Sequence, residues 1–132
     1  MSRRKHRLPF DTKGGVIVLG RRMLESEAYR SLSLPARCLL LELQIQWRND
    51  RPVAFGTREA AEKLGCDRRV AMRAFRELHA AGFILLEDEA LFNSRTGSKA
   101  RTWILTWMPY MDRPPSNDWE SEKNHPVRKM HH

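Results

Sequence analysis

The sequence predicts a single α+β, mainly α domain, and three observations carry that prediction. Two capped helical segments, 58–64 and 68–81, are joined by a short turn built on Gly65. After Gly82 the hydrophobic period changes from helical to strand-like, and a polar, turn-rich stretch separates two strand-like runs. The chain of 132 residues is 41% hydrophobic and 30% charged, which suits one globular domain with tails and excludes a largely disordered chain.

Residues 1–14 carry Arg3, Arg4, Lys5, Arg7 and Lys13 ahead of a Gly14-Gly15 break and read as a flexible basic arm. The domain is expected over 15–110. Residues 16–19, Val-Ile-Val-Leu, form a β-rich run closed by Gly20, read as a short N-terminal edge strand or a docking segment. Over 23–32, Met23, Leu24, Ala28, Tyr29 and Leu32 recur at helical spacing. Ser33, two residues ahead of Pro35, opens a longer helix over 34–47, whose apolar stripe is Leu39, Leu40, Leu43 and Trp47. Asn49-Asp50-Arg51-Pro52 ends it.

Thr57 is placed as the N-cap of helix 58–64, which Gly65 stops after two turns. Asp67 caps the next helix, 68–81, ended by Gly82. Two helices so joined have helix-turn-helix geometry. The runs 83–86 and 101–107 then form a two-stranded hairpin, or wing, whose tip 93–99 is polar and basic. Residues 111–132, with Pro114-Pro115 and many charges, read as a flexible charged tail.

Lys and Arg total 24 against 16 acidic residues, a net charge of +8 and a pI near 10.2. A domain this basic attracts polyanions, because each phosphate it neutralises releases condensed counterions; a surface charged only for solubility is the alternative. No apolar run is long enough to span a bilayer, and Pro9, Asp11 and Lys13 fall where a signal peptide needs an apolar stretch. Cys38 and Cys66 read as two buried thiols of a reducing compartment, so a cytoplasmic protein is expected.

Catalytic chemistry is not expected. There is no phosphate-binding Gly-rich loop, nucleophile elbow or metal-binding helix motif. His6, His125, His131 and His132 lie in the tails, His79 stands alone on a helix, and the two cysteines are far apart, so neither a metal nor a cofactor is expected.

Advancing helix 68–81 at 100° per residue gathers Val70, Ala71, Ala74, Phe75, Leu78 and Ala81 on one side. Arg69, Met72, Arg73, Arg76 and Ala80 gather on the other, with no acid among them. Arginine's planar fork can bond guanine O6 and N7 together or clamp a phosphate. In a helix-turn-helix the N-terminal part of the second helix reaches base edges while the first crosses the backbone. Arg68, Arg69 and Arg73 are therefore the candidate base readers, with Met72 beside them and Arg76 nearer phosphate. Thr57 and Arg58, at the start of the first helix, are candidate backbone contacts. Arg95, Lys99 and Arg101 offer the wing tip to phosphate or an adjacent minor groove, against the alternative of a plain solvated hairpin. Trp103, Leu105 and Trp107 share a strand face and read as core or docking residues rather than a base-stacking platform.

The stretch 58–65 (Arg-Glu-Ala-Ala-Glu-Lys-Leu-Gly), followed by 68–78 and by Ala80-Ala81-Gly82-Phe83-Ile84, closely resembles the winged helix-turn-helix of GntR-type bacterial regulators. The likeness runs without a gap from residue 58 to residue 84. Ala71 departs from it where that family usually has a larger apolar residue, Asp67 replaces the usual Ser or Thr cap, and the wing is longer. Ligand control by a C-terminal domain is not implied. Residues 101–107 also look like the end of winged helices in phage and plasmid replication proteins and small mobile-element regulators. The resemblance implies a sequence-specific double-stranded DNA-binding protein of the bacterial nucleoid, with transcription regulation as the first expectation. A replication or excision accessory protein of a mobile element would use the same contacts, and a winged-helix protein-interaction module is the alternative of another class. A palindromic site needs two copies, so a weak homodimer forming on DNA is expected.

Overall fold

The computed structural model describes residues 8–87 and 101–121. The elements are α1 (Arg21–Leu24), α2 (Glu27–Arg30), α3 (Leu34–Gln46), β1 (Val53–Ala54), α4 (Thr57–Leu64), α5 (Arg68–Ala80), β2 (Ile84–Leu86), β3 (Thr102–Leu105) and a 3₁₀ turn, Asp118–Glu120. The fold is α+β and mainly helical. Arg3, Arg4, Lys5 and Arg7 of the expected arm, Arg95 and Lys99 of the expected wing tip, and residues 122–132 lie outside the described residues.

The single helix expected over 23–32 is instead two short ones. Ser26 causes the break: its hydroxyl donates to the Met23 carbonyl at 2.6 Å and accepts from the Tyr29 N–H at 3.1 Å. A serine that bonds local backbone in this way competes with the helical ladder, ending α1 and capping α2. The longer helix forms close to its expected span, with Ser33 accepting from the Ala36 N–H and Pro35 in its first turn.

The N-terminal strand expected over 16–19 does not form. The segment has no ladder partner, is held where Gln44 Nε2 donates to the Val18 carbonyl at 3.0 Å, and leaves Val18 71% exposed. Its place in a sheet is taken by β1, whose register pairs Val53 with Trp103 and Ala54 with Thr102. The other edge of β3 pairs with β2, Ile84 opposite Leu105 and Leu86 opposite Trp103. The expected two-stranded hairpin is thus a three-stranded antiparallel sheet of order β1-β3-β2. Val53 and Phe55 enter this sheet region because both are buried, at 2% and 1% exposure.

Helices α3, α4 and α5 pack on one another, with the sheet closing one end. Alanines from all three belong to one buried core: Ala36, Ala60, Ala61, Ala71 and Ala74 are buried together with Leu39, Leu40, Leu43 and Leu78. The α4–α5 turn follows its sequence logic. Gly65 sits at φ 69°, the left-handed region that glycine enters freely, and the Cys66 N–H reaches back to the Ala61 carbonyl at 3.0 Å. Asp67 then accepts from the Val70 N–H at 3.0 Å and starts α5. The start of α4 differs from expectation: the helix begins one residue earlier, Gly56 holds the cap position, and Thr57 makes no side-chain cap bond. Cys38, expected to be buried, is exposed, and both thiols are free. It lies on the side of α3 opposite the core.

Packing continues past residue 110. Of the residues assigned to a tail, 111–121 are described and lie against the domain. Trp119, 4% exposed, stacks on Phe83 at 6.1 Å with the rings 9° apart. The Asn117 N–H bonds the Thr106 carbonyl at 2.8 Å, and buried Thr106 donates to the Gly82 carbonyl at 2.7 Å. Farther back, Asn49 and Asp112 exchange two bonds, at 2.7 and 3.1 Å.

Trp119→Ala is expected to lower unfolding free energy by about 3 kcal/mol, as loss of a large buried ring does. Urea denaturation checks it, and a cost under about 1 kcal/mol would mean that 111–121 contributes nothing to the fold. Asp67→Ala should cost about 1 kcal/mol through loss of the cap, and Asp67→Asn should retain most of that stability in the same assay.

Candidate functional site

The geometry of α5 begins with what it buries. Ala71, Ala74, Phe75 and Leu78 turn inward, and Val70 is half-buried at their edge. That forces the opposite side outward: Arg68, Arg69, Met72, Arg73 and Arg76 are all exposed. Arg76 lies against the residue one turn before it, with Nη2 3.6 Å from Met72 Sδ. The one acid of α5, Glu77, is turned the other way. It accepts from the Ser33 backbone N–H and from the Ser33 hydroxyl, both at 2.8 Å, and so fastens α5 to the start of α3. Arg22 pairs with Glu120 and Arg51 with Asp50, and neither pair touches α5. In the second, the side-chain hydrogen bond from Arg51 holds Asp50 below the usual carboxylate range.

Between α5, the start of α4 and the sheet runs an open groove of about 390 Å³. Its floor is aromatic. Phe75 stacks on Trp103 at 5.5 Å with an interplanar angle of 21°, and His79 meets the same indole edge-on at 5.9 Å. Phe55 and Leu86 complete the floor, while Thr57, Met72, Arg76 and Arg101 stand around it. Four candidate residues from three segments of the sequence, Thr57, Met72 with Arg76, and Arg101, are thereby brought to one groove. Arg58, Arg68, Arg69 and Arg73 do not line it; they extend the exposed basic surface from the first turns of α4 and α5. Arg95 and Lys99 fall outside the described residues.

His79 belongs to this site and was not among the candidates. The signal was present, since His79 follows Met72 by seven residues and Arg76 by three, which puts all three on one helix face. Trp103 and Leu105 are buried as expected, at 5% and 2% exposure, whereas Trp107 lies beyond the end of β3 and is half-buried. Trp107 Nε1 donates to Gln44 Oε1 at 2.9 Å, and its ring meets Phe83 edge-on.

Among the described residues no group of three His, Cys, Asp or Glu side chains is placed to hold a metal ion, and no helix is long and apolar enough to cross a membrane. What the surface offers is a row of guanidinium groups on a rigid helix, beside an aromatic-floored groove with an arginine on either side. That arrangement can bond planar acceptors and neutralise phosphates. Comparison of the chain with family models, with curated proteins and with solved structures finds no match, so the functional reading rests on this geometry.

Proposed function

We propose that this chain is a winged helix-turn-helix protein that binds double-stranded DNA in a sequence-dependent manner and acts as a cytoplasmic regulator of transcription, without enzymatic activity of its own. One observation carries the reading. The exposed side of α5 presents Arg68, Arg69, Arg73 and Arg76, while the only acid of that helix is spent on Ser33 of α3. A solvated face selected only for solubility would mix signs.

The arrangement around α5 supports the same reading. Helices α4 and α5 are joined by Gly65, Cys66 and Asp67, and the β2 and β3 strands that follow stand as the base of a wing. With α5 in a major groove, its first turns reach base edges through Arg68, Arg69 and Arg73. Arg76 and Arg101, on either side of the groove, take phosphates, and Thr57 and Arg58 meet the backbone from the start of α4. Arg95 and Lys99 would extend the contact along the wing. Marking an origin or an attachment site would use the same contacts, and a second copy would read the other half of a palindrome.

The test is fluorescence anisotropy with DNA recovered from the protein in cells, titrated at several salt concentrations. Affinity should fall linearly on a log–log plot, by about 0.9 in slope per phosphate neutralised. Arg73→Ala should cost about 1–3 kcal/mol on the preferred site and relax base preference there. Arg76→Ala should weaken all sequences alike and lower the slope by about one unit. Weak binding with little salt dependence would refute the proposal and point to a protein-interaction module. Equal effects of the two substitutions would refute the division between base and phosphate contacts.

A further inference from the structure

Helix α3 is apolar on two sides, and only one of them is covered. Ala36, Leu39, Leu40 and Leu43 are fully buried in the core. On the opposite side Leu34, Cys38, Leu41 and Ile45 recur at spacings of four, three and four. Leu34 is 70% exposed, Leu41 37% and Ile45 57%, and Cys38 is exposed between them. Two heptads of this spacing place Leu34 and Leu41 at d positions, and Cys38 and Ile45 at a positions. Within a parallel pairing, leucine at d with a β-branched residue such as Ile45 at a favours two strands over three or four.

The charges beside the stripe match that arrangement. Half-buried Arg37 stands at g on one flank, with its guanidinium 5.3 Å from the Tyr29 ring and one Nη donating to the Arg30 carbonyl at 2.8 Å. Glu42, half-buried, stands at e on the other flank. In a parallel pair the g residue of one helix faces the e residue of the next heptad of the other, so Arg37 meets Glu42 of a second copy, twice by symmetry. In an antiparallel pair like flanks face each other and this complement is lost. We infer that the exposed stripe of α3 is a self-association surface, whose occupant is α3 of a second copy of this chain in parallel, two-fold orientation. Four side chains over two heptads bury far less than the roughly 800 Å² per partner of a standard interface, so the dimer is weak unless something else holds two copies close together. The inference concerns α3 and is independent of the DNA-binding reading.

Cys38 makes the seam testable, because symmetric a positions of a parallel pair face each other within reach of a disulfide, whereas an antiparallel pair sets Cys38 against Leu41. The full-length protein at high micromolar concentration, without DNA, is oxidised with copper–phenanthroline and followed on non-reducing gels. A covalent dimer is expected to form through Cys38, to vanish in Cys38→Ser and to persist in Cys66→Ser. Ile45→Glu changes a side chain exposed in the monomer, leaves the circular dichroism spectrum unchanged, and should slow cross-linking by about tenfold or more by placing a carboxylate in the seam. Cross-linking at an unchanged rate in Ile45→Glu would expose mere collision of an accessible thiol and overturn the inference. Linkage through Cys66, or a strictly monomeric protein in sedimentation at the same concentration with no Cys38 dimer, would overturn it equally. Because DNA is absent, failure here leaves the DNA-binding reading to its own titration.

Discussion

The close approach of α5 to α3 and α4 is the contact on which the rest of the structure depends, and it is made possible by small side chains. Ala71 and Ala74 of α5 are 0% and 1% exposed, and Ala36 of α3 and Ala60 of α4, the helices packed against α5, are each at 0%. With no bulk at these positions the three helix backbones come together, and the larger Leu39, Leu40, Leu43 and Leu78 interlock around them. A larger residue at Ala71 would push α5 outward, since overpacked cores cost about 1–3 kcal/mol in strained rotamers and shifted backbone. Once α5 is seated by its small face, the direction of every arginine on its far side is settled by helix geometry alone.

Two polar contacts lock that orientation. Asp67 starts α5 at a defined residue by accepting from the Val70 N–H, and Glu77 reaches the Ser33 backbone and hydroxyl one helix away. The second contact also bears on the charge of the exposed surface, because the helix's one carboxylate accepts from Ser33 instead of pairing with an arginine of α5. Rotating α5 by even one residue would undo the alanine packing and the Glu77 bond together, so the exposed face is held in register by contacts that lie on the opposite side of the helix.

The sheet end depends on aromatic packing instead. Trp103 sits at the centre of the sheet, paired on both edges, and stacks on Phe75 of α5. Phe83, fully buried, is flanked by Trp107 and by Trp119 from beyond the sheet. The 111–121 segment therefore acts as a seal over the turn between α5 and β2, where the Thr106 hydroxyl satisfies the Gly82 carbonyl. Without that cover a phenylalanine and a buried hydroxyl would be open to water.

By itself the sequence determined the local features: α3, α4 and α5 to within a residue or so at each end, the glycine turn, the Asp67 cap, the paired strands after Gly82 and the two-sided character of α5. These follow from short-range causes, since caps, glycine at positive φ and a 3.6-residue period act within a few positions of themselves. Tertiary structure alone decided the rest. Residues 16–19 have every β-rich feature of a strand yet stay unpaired, while Val53 and Ala54, with far weaker signals, become one, because strand formation needs a free edge and Trp103 offers its edge to β1. Trp119 is buried despite lying among prolines and charges, since a ring 36 residues away in sequence is there to stack on it. Likewise the groove that unites Thr57, Met72, Arg76, His79 and Arg101 exists only once α4, α5 and β3 are assembled. The stripe Leu39, Leu40 and Leu43 was legible as the apolar face of α3, but that Leu34, Leu41 and Ile45 stay exposed on its other side is decided only by what packs there.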